Sequence, residues 1–188
     1  MAHDLSGKRV AILVENGFEQ SELMEPRKAL DQAGATTQVV SPVAGQVRGW
    51  KEREWGESVP VDVALERADP HDFDALLLPG GVMSPDKLRT NQRAVAFVEA
   101  FFQSRKPVAA ICHGPWTIVE AESAKGRTLT SWPSLQTDIR NAGGKWVDQE
   151  VAVDNGLVTS RQPADLPAFN ARMIDEFAEG EHRAQHAA

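Results

Sequence analysis

Apolar residues along the chain occur in short unbroken runs and, between those runs, at helical spacing. The runs predict strands of a largely buried sheet over residues 9–14, 37–41, 75–78 and 108–111. Helical spacing predicts helices over 22–33, from a cap at Asn91 to about residue 105, and from Pro115 onwards. Strands that alternate with helices are typical of a mainly parallel sheet covered by helices on both faces, so we expect an α/β fold.

The rest of the chain fits this plan with shorter elements. We predict strands near 128–130, 145–147, 151–153 and 157–160, and helices near 135–142 and 167–178. The polar segment 46–62, which carries Trp50 and Trp55, predicts a hairpin or another excursion off the sheet. A chain of 188 residues suits one domain, which we place over 8–178, with terminal tails over 1–7 and 179–188.

Composition narrows the classes of function. The chain carries 20 basic and 27 acidic side chains, a net charge of −7, and no Lys/Arg run. This argues against a stable complex with a nucleic-acid backbone. No apolar stretch is long enough for a leader or a membrane span, so we expect no membrane contact and a cytoplasmic protein. The single cysteine, which has no partner for an internal disulfide, fits a reducing compartment.

The candidate catalytic residues lie at the carboxyl ends of three predicted strands, which is where open α/β sheets bind ligands. These ends are Glu15, the pair Gly80–Gly81, and the pair Cys112–His113. A cysteine between a buried strand and the first turn of a helix projects on a sharp elbow, as nucleophiles do in other α/β enzymes. The nearby helix terminus favours the thiolate. We therefore interpret Cys112 as a nucleophile rather than a small core residue.

The other residues at this edge suggest supporting roles. A hydrogen bond between Glu15 and Cys112 requires burial that keeps Glu15 protonated. Gly80 and Gly81, which have no side chains, can present backbone N–H groups to an oxyanion. His113 follows the cysteine directly, and neighbouring side chains of an extended strand point to opposite faces, so spacing alone does not predict contact with the sulfur.

Several motifs are missing. The chain has no Gly-x-Gly-x-x-Gly loop after the first strand, no Walker loop and no Gly-x-Ser-x-Gly elbow. The histidines other than His113, at positions 3, 71, 182 and 186, form no recognisable ligand set. We therefore expect neither a cofactor nor a native metal.

Four separated segments together resemble the PfpI family. They are AICHGPW at 110–116, DALLLPGG at 74–81, GFEQSE at 17–22 and TSRQPADLP at 159–167. The similarity runs from about residue 8 to residue 177. This family includes intracellular cysteine peptidases and bacterial general-stress proteins, and its superfamily includes a parkinsonism-associated deglycase and the class I glutamine amidotransferases.

The resemblance implies a single-domain, flavodoxin-like, three-layer α/β/α sandwich with a nucleophile elbow. It implies that Cys112 is the nucleophile, Glu15 the acid beside it, and His113 the paired histidine. In the peptidase branch an acidic residue from a neighbouring subunit completes a triad, and the matching position here is Asp86, where that branch has Glu. The late His-x-Glu pair of the amidotransferase branch is absent. Homodimers or higher homo-oligomers are expected.

Three functional hypotheses follow from the resemblance and the shared thiol. The first is a cofactor-free, cysteine-dependent stress-protection enzyme that acts on glyoxal, methylglyoxal or their early adducts on proteins or nucleotides. The second is an intracellular cysteine peptidase that uses Cys112, His113 and Asp86. The third is a non-enzymatic oxidative-stress sensor or chaperone that operates through oxidation of Cys112.

Overall fold

In the computed structural model, which describes residues 4–182, strands and helices alternate along most of the chain. The strands are β1 (Arg9–Leu13), β2 (Phe18–Glu19), β3 (Thr36–Ser41), β4 (Gln46–Lys51), β5 (Glu54–Pro60), β6 (Val63–Ala64), β7 (Ala75–Leu78), β8 (Val108–Ile111), β9 (Thr128–Leu129), β10 (Lys145–Trp146), β11 (Val151–Asp154) and β12 (Leu157–Ser160). The helices are α1 (Gln20–Gln32), α2 (Met83–Leu88), α3 (Gln92–Gln103), α4 (Pro115–Glu120), α5 (Gln136–Asn141) and α6 (Leu166–Glu179).

Seven strands form the central sheet in the order β11-β12-β8-β7-β1-β3-β6. All neighbouring strands in it are parallel except β11, which pairs antiparallel with β12. Strands β7, β8 and β1 are adjacent, so the turns that follow them meet at one edge of the sheet. The predicted convergence of these three turns is confirmed.

Helices cover both faces of the sheet. Along β1, Val10 and Ile12 join one hydrophobic cluster, whereas Ala11 and Leu13 join the other, as the alternation of side chains on a strand requires. The first cluster takes its helical side chains from α1 and α6, and the second takes them from α2, α3, α4 and α5. The predicted α/β fold with a mainly parallel sheet, consistent with a flavodoxin-like sandwich, is confirmed.

The segment with two tryptophans forms the predicted hairpin outside the main sheet. Strands β4 and β5 pair antiparallel, and β2 adds to β4 in parallel, which makes a separate three-stranded sheet. Strand β2 and helix α2 were not predicted from the sequence, because each is too short to show a periodic pattern.

The ends of the described region are more ordered than the predicted tails suggest. Leu5 is fully buried, and its backbone N–H donates to the carbonyl oxygen of Ala33 at 2.7 Å. Helix α6 continues to Glu179. The remainder of the predicted C-terminal tail, 183–188, and residues 1–3 lie outside the described residues. Among the helices of 4–182, none combines the length and apolar character needed to cross a bilayer.

Candidate active site

Cys112 occupies the sharp turn between β8 and α4. Its φ is +61°, a left-handed conformation that costs free energy in a residue other than glycine. Its backbone N–H donates to Ser160 O at 3.0 Å, and its carbonyl oxygen accepts from Trp132 N at 2.9 Å. These two hydrogen bonds, from different sides, hold the strained residue in place. The nucleophile-elbow geometry predicted for this position is present.

A carboxyl group that the sequence analysis did not select lies against the cysteine. Glu22, in the first turn of α1, is fully buried and lines the same cavity as Cys112. Within residues 4–182, its two carboxyl oxygens have no hydrogen-bond partner of good geometry, so the contacts with Cys112 and the backbone of Gly80 and Gly81 are looser electrostatic ones. A buried carboxyl group with so little compensation favours its neutral form.

Burial, reinforced by the negative charge of Glu19, raises the pKa of Glu22 to about 8. Glu22 therefore carries a proton at neutral pH. Burial also raises the pKa of the Cys112 thiol, and an ionised Glu22 would raise it further. Neutral Glu22 removes that repulsion, and the nearby backbone N–H groups of Gly81 and His113 act in the opposite direction and lower the pKa of the thiol. At neutral pH the pair is therefore a protonated carboxyl group beside a thiol, and the two groups titrate as a coupled pair.

The predicted Gly80–Gly81 turn packs directly over this pair. A Cβ at Gly80 would overlap Glu22 Oε2, the Cβ of Cys112 and the carbonyl oxygen of Ile111. Gly81 has a φ of +79°, and a Cβ there would meet the backbone of residues 17–19. Only glycine fits at these positions, because backbone atoms and the side chains of Glu22 and Cys112 fill the space that a side chain would need.

His113 lies beside the cysteine, as the resemblance implied. Its Nδ1 is 3.2 Å from Cys112 Sγ, and its Nε2 is 3.4 Å from Ser134 Oγ. The positive φ of Cys112 breaks the strand alternation that made this contact unexpected from spacing alone. Burial lowers the pKa of His113, which favours the neutral ring at pH 7. Trp116 contacts that ring edge-on, with centroids 4.9 Å apart.

Glu15 occupies a different environment from the one we expected. Its backbone N–H donates to Ser84 Oγ at 2.9 Å, while its carboxylate accepts from Asn16 N and lies 3.4 Å from Lys87 Nζ. It does not belong to the described lining of the cavity around Cys112. The acid that the fold brings to the cysteine is Glu22, because the chain continues from β1 through β2 and returns along α1.

Asp86 forms an ion pair with Arg89. Its Oδ1 accepts from Arg89 Nη2 at 2.7 Å and from Arg89 Nε at 3.0 Å, and its side chain is 52% exposed. The Arg89 guanidinium in turn stacks 4.3 Å from the ring centroid of Trp116. Within one chain, Asp86 is therefore engaged by Arg89 and reaches His113 only through two intervening side chains.

A cavity of about 420 Å³ opens over the sulfur. Its described lining consists of Glu19, Glu22, Trp50, Gly81, Val82, Cys112, His113, Trp132 and Pro163. The lining combines a thiol, two carboxyl groups, an imidazole and two indoles. A volume of this size matches small-molecule binding sites in proteins.

A separate group of side chains has the composition of a metal site. Glu176, Glu179 and His182, at the end of α6, each offer a ligand atom, and these atoms lie within 4.8 Å of one another. His182 Nε2 is 3.3 Å from Glu176 Oε2, a distance typical of an ion pair. None of the three belongs to the described lining of the cavity around Cys112.

Curated proteins are similar in sequence to this chain over most of its length. General stress protein 18 of Bacillus subtilis is 44% identical over 170 residues, which cover 89% of this chain and 96% of that protein. The Bacillus subtilis protein named "Putative cysteine protease YraA" is 42% identical over 169 residues, which cover 89% of this chain and 97% of that protein.

Solved structures give the same result for the fold. A two-domain protein of Anabaena variabilis, with DJ-1/ThiJ/PfpI-like and ferritin-like domains, superposes with a TM-score of 0.84 at 35% identity. The match covers 89% of this chain and 47% of that one. DJ-1 of Schizosaccharomyces pombe superposes with a TM-score of 0.78 at 20% identity, over 91% and 95% of the two chains. The sequence pattern of the DJ-1/PfpI family matches residues 8–176, and the chain belongs to that family.

Proposed function

We propose that this protein is a cofactor-free, cysteine-dependent enzyme that acts on glyoxal, methylglyoxal or their early adducts. Cys112 is the nucleophile, Glu22 the proton donor and acceptor beside it, and His113 a second proton carrier. The proposal includes a cytoplasmic, homo-oligomeric protein that protects against reactive carbonyl compounds. Its family membership and its 44% identity to a general stress protein support that setting.

The observation that carries the proposal is the burial of a protonated carboxyl group against a strained cysteine. A carboxyl group whose pKa is raised to about 8 can both donate and accept a proton near neutral pH. Addition of a thiolate to an aldehyde needs a proton donor at the carbonyl oxygen, and the later steps need the reverse transfer. Glu22 is suited to both tasks because it is shielded from water and lies against the sulfur.

For methylglyoxal we propose the following reaction steps. Neutral His113, whose Nδ1 is 3.2 Å from Cys112 Sγ, takes the thiol proton as the sulfur forms a bond to the aldehyde carbon, and the carbonyl oxygen takes a proton from Glu22, which gives a hemithioacetal. The Glu22 carboxylate then takes the proton from the former aldehyde carbon while the ketone oxygen takes the proton held by His113, which gives an enediol. Glu22 returns its proton to the neighbouring carbon and recovers one from the hydroxyl group on the former aldehyde carbon. The product is a thioester of lactate. Water adds to this thioester, the carbon–sulfur bond breaks, and the thiol is regenerated together with lactate.

The backbone N–H groups of the Gly80–Gly81 turn are suited to stabilise the negative charges that develop during this reaction. The backbone N–H of Gly81 lowers the pKa of the Cys112 thiol and so favours the thiolate before attack. After attack, we expect N–H groups at the same turn to stabilise an oxygen that develops negative charge on the bound carbon. Because Gly80 and Gly81 have no side chains, substrate can approach this backbone closely.

A cysteine peptidase is the second candidate, and the name of the relative YraA favours it. A peptidase of this kind needs an acidic partner for His113. Within one chain the Asp86 carboxylate pairs with Arg89 instead, so this candidate requires Asp86 from a neighbouring copy or a rearranged Arg89. We therefore rank peptide hydrolysis below dicarbonyl chemistry.

Turnover of methylglyoxal to lactate by freshly reduced protein tests the proposal, with cleavage of fluorescent casein measured in parallel. We expect lactate from the wild type and none from Cys112→Ser. Casein cleavage without lactate would overturn the proposal in favour of the peptidase. The absence of both activities would overturn it in favour of a sensor in which Cys112 is oxidised without turnover.

A further inference from the structure

We propose that Glu19 and Trp50 form a subsite for a cationic group, so that the cavity selects dicarbonyl adducts of arginine side chains. The inference rests on the proposed function, because it assigns a substrate class to the same site. It concerns the part of the cavity that Glu19 and Trp50 line, and it assigns that part to the portion of the substrate that does not react.

Strand pairing sets the two residues side by side. Glu19 of β2 is the register partner of Trp50 of β4, and both line the cavity. The backbone N–H of Glu19 donates to Gly80 O at 3.1 Å, which ties this residue to the glycine turn above Cys112. Trp50 packs edge-on against Trp55, with centroids 5.5 Å apart. The pair is therefore held by backbone and aromatic contacts rather than by a free loop.

The charge around this subsite is negative. The titratable carboxyl groups in the described lining are those of Glu19 and Glu22, and none of the described lining residues is a lysine or an arginine. Glu52, at the tip of the hairpin, lies close enough to Glu19 to oppose its ionisation. This arrangement repels anions such as nucleotide or glutathione adducts, and it attracts cations.

A bound cation would stabilise the Glu19 carboxylate more than it would stabilise a fully solvated carboxylate. Its side chain is partly buried, and burial raises its pKa. Its carboxylate accepts a hydrogen bond from Ser21 Oγ at 3.3 Å, a long distance for this type of bond. An approaching guanidinium would replace lost solvation at this carboxylate, in a region where charges are less screened than in bulk water.

The indoles favour a planar cation. Trp50 and Trp132 both contribute to the lining, and an arginine guanidinium stacks well on indole faces. The cavity volume of about 420 Å³ is also in the range of sites for larger ligands, more than a three-carbon dicarbonyl requires. The surplus space and its lining fit a side-chain adduct whose reacting carbon lies over Cys112.

A pair of isosteric ligands isolates the charge. N-acetylarginine amide and N-acetylcitrulline amide have nearly the same shape, but only the first is cationic. We expect the wild type to bind the arginine ligand about fivefold more tightly by isothermal titration calorimetry, the gain expected from one cation–π contact and one partly screened ion pair. Equal affinities would overturn the inference.

Variants assign this preference to Glu19. In Glu19→Gln we expect the ratio of the two affinities to fall close to one. Glu25→Gln, which removes the same charge from an exposed position of α1, should keep the wild-type ratio. Retention of the preference in Glu19→Gln, or its loss in Glu25→Gln to the same extent, would contradict the assignment.

The salt dependence of binding separates the possible failures. In wild-type protein, raising the salt concentration from about 0.01 M to about 1 M should weaken binding of the arginine ligand and leave the citrulline ligand unchanged, which tests the inference even if Glu19→Gln does not fold. Binding needs no turnover. Failure of the proposed function therefore appears as missing lactate, and failure of this inference appears as equal affinities.

Discussion

Glu22 and Cys112 meet beneath Gly80, in a corner of the molecule where Glu22 is fully buried and Cys112 is 7% exposed. The carboxyl group lies on the helix that follows β2, and the thiol lies on the elbow that follows β8. Two elements distant in sequence therefore create a single pair of coupled titratable groups. Its consequences can be measured in stability as well as in turnover.

The raised pKa of Glu22 predicts a stability that falls as pH rises. In the unfolded chain Glu22 loses its proton near pH 4.5, whereas in the native protein it keeps it to about pH 8. Between these values the native state binds more protons, so the free energy of unfolding decreases with pH. We expect the wild type to lose roughly 3–5 kcal/mol relative to Glu22→Gln from pH 5 to pH 8.

Urea unfolding of both proteins across this pH range measures the effect. Glu25→Gln serves as the control, because it removes an exposed carboxyl group from the same helix and should follow the wild-type pH dependence. Parallel profiles for the wild type and Glu22→Gln would show that Glu22 ionises in the native protein as it does in the unfolded chain.

Gly80→Ala is predicted to damage both the fold and the site. The added methyl group would overlap the carboxyl oxygen of Glu22 and the Cβ of Cys112. We expect the free energy of unfolding to fall by about 1–3 kcal/mol, as in other overpacked interiors, and turnover to fall at least about tenfold. Gly126→Ala is the control, since no atom lies within 4 Å of its added Cβ although φ is +74°. Equal effects of the two substitutions would refute the steric account.

Asp86→Asn is predicted to leave lactate formation within roughly threefold of wild type, because an exposed ion pair contributes little. Asp175→Asn is a matched control, since Asp175 forms a similar i,i+3 pair with Arg172 on α6. Lactate and casein assays on both variants provide the comparison. A selective loss of tenfold or more in Asp86→Asn would mean that Asp86 acts at the site, as the peptidase hypothesis requires.

The order of elements could be predicted from sequence because the central strands and long helices carry strong patterns. Runs such as 75–78 and 108–111 are buried on both faces, and Asn91 caps α3 by accepting from Arg93 N and Ala94 N. The elbow at Cys112 followed from the strand that precedes it and the proline that follows it. These features depend on local chemistry, which a sequence displays directly.

The identity of the acid could not be predicted by the same reasoning. Glu15 follows a predicted strand, but the chain then turns through Gly17 and forms β2, so the side chain that returns to the cysteine is one turn into α1. A signal was present nonetheless. Glu22 shares a helix face with Pro26 and Leu30, at spacing i, i+4 and i+8, and an acid on a buried face is unusual.

The contacts among the residues that line the cavity could not be predicted from the sequence either. Trp50 and Trp132 are far apart in the chain, and their approach to Cys112 depends on the β2–β4 pairing and on the hydrogen bond from Trp132 N to Cys112 O. The contact between His113 and the sulfur depends on the left-handed φ of Cys112, which the periodicity of a regular strand does not predict.

Lactate formation by Glu22→Gln and Glu15→Gln, compared side by side, tests the central claim most directly. Each substitution removes one carboxylic acid and preserves the shape of the side chain. The account predicts that turnover of methylglyoxal falls about 10²- to 10⁴-fold in Glu22→Gln and stays near wild type in Glu15→Gln. Full activity in Glu22→Gln, or a loss confined to Glu15→Gln, would contradict the assignment of Glu22 as the acid that serves Cys112.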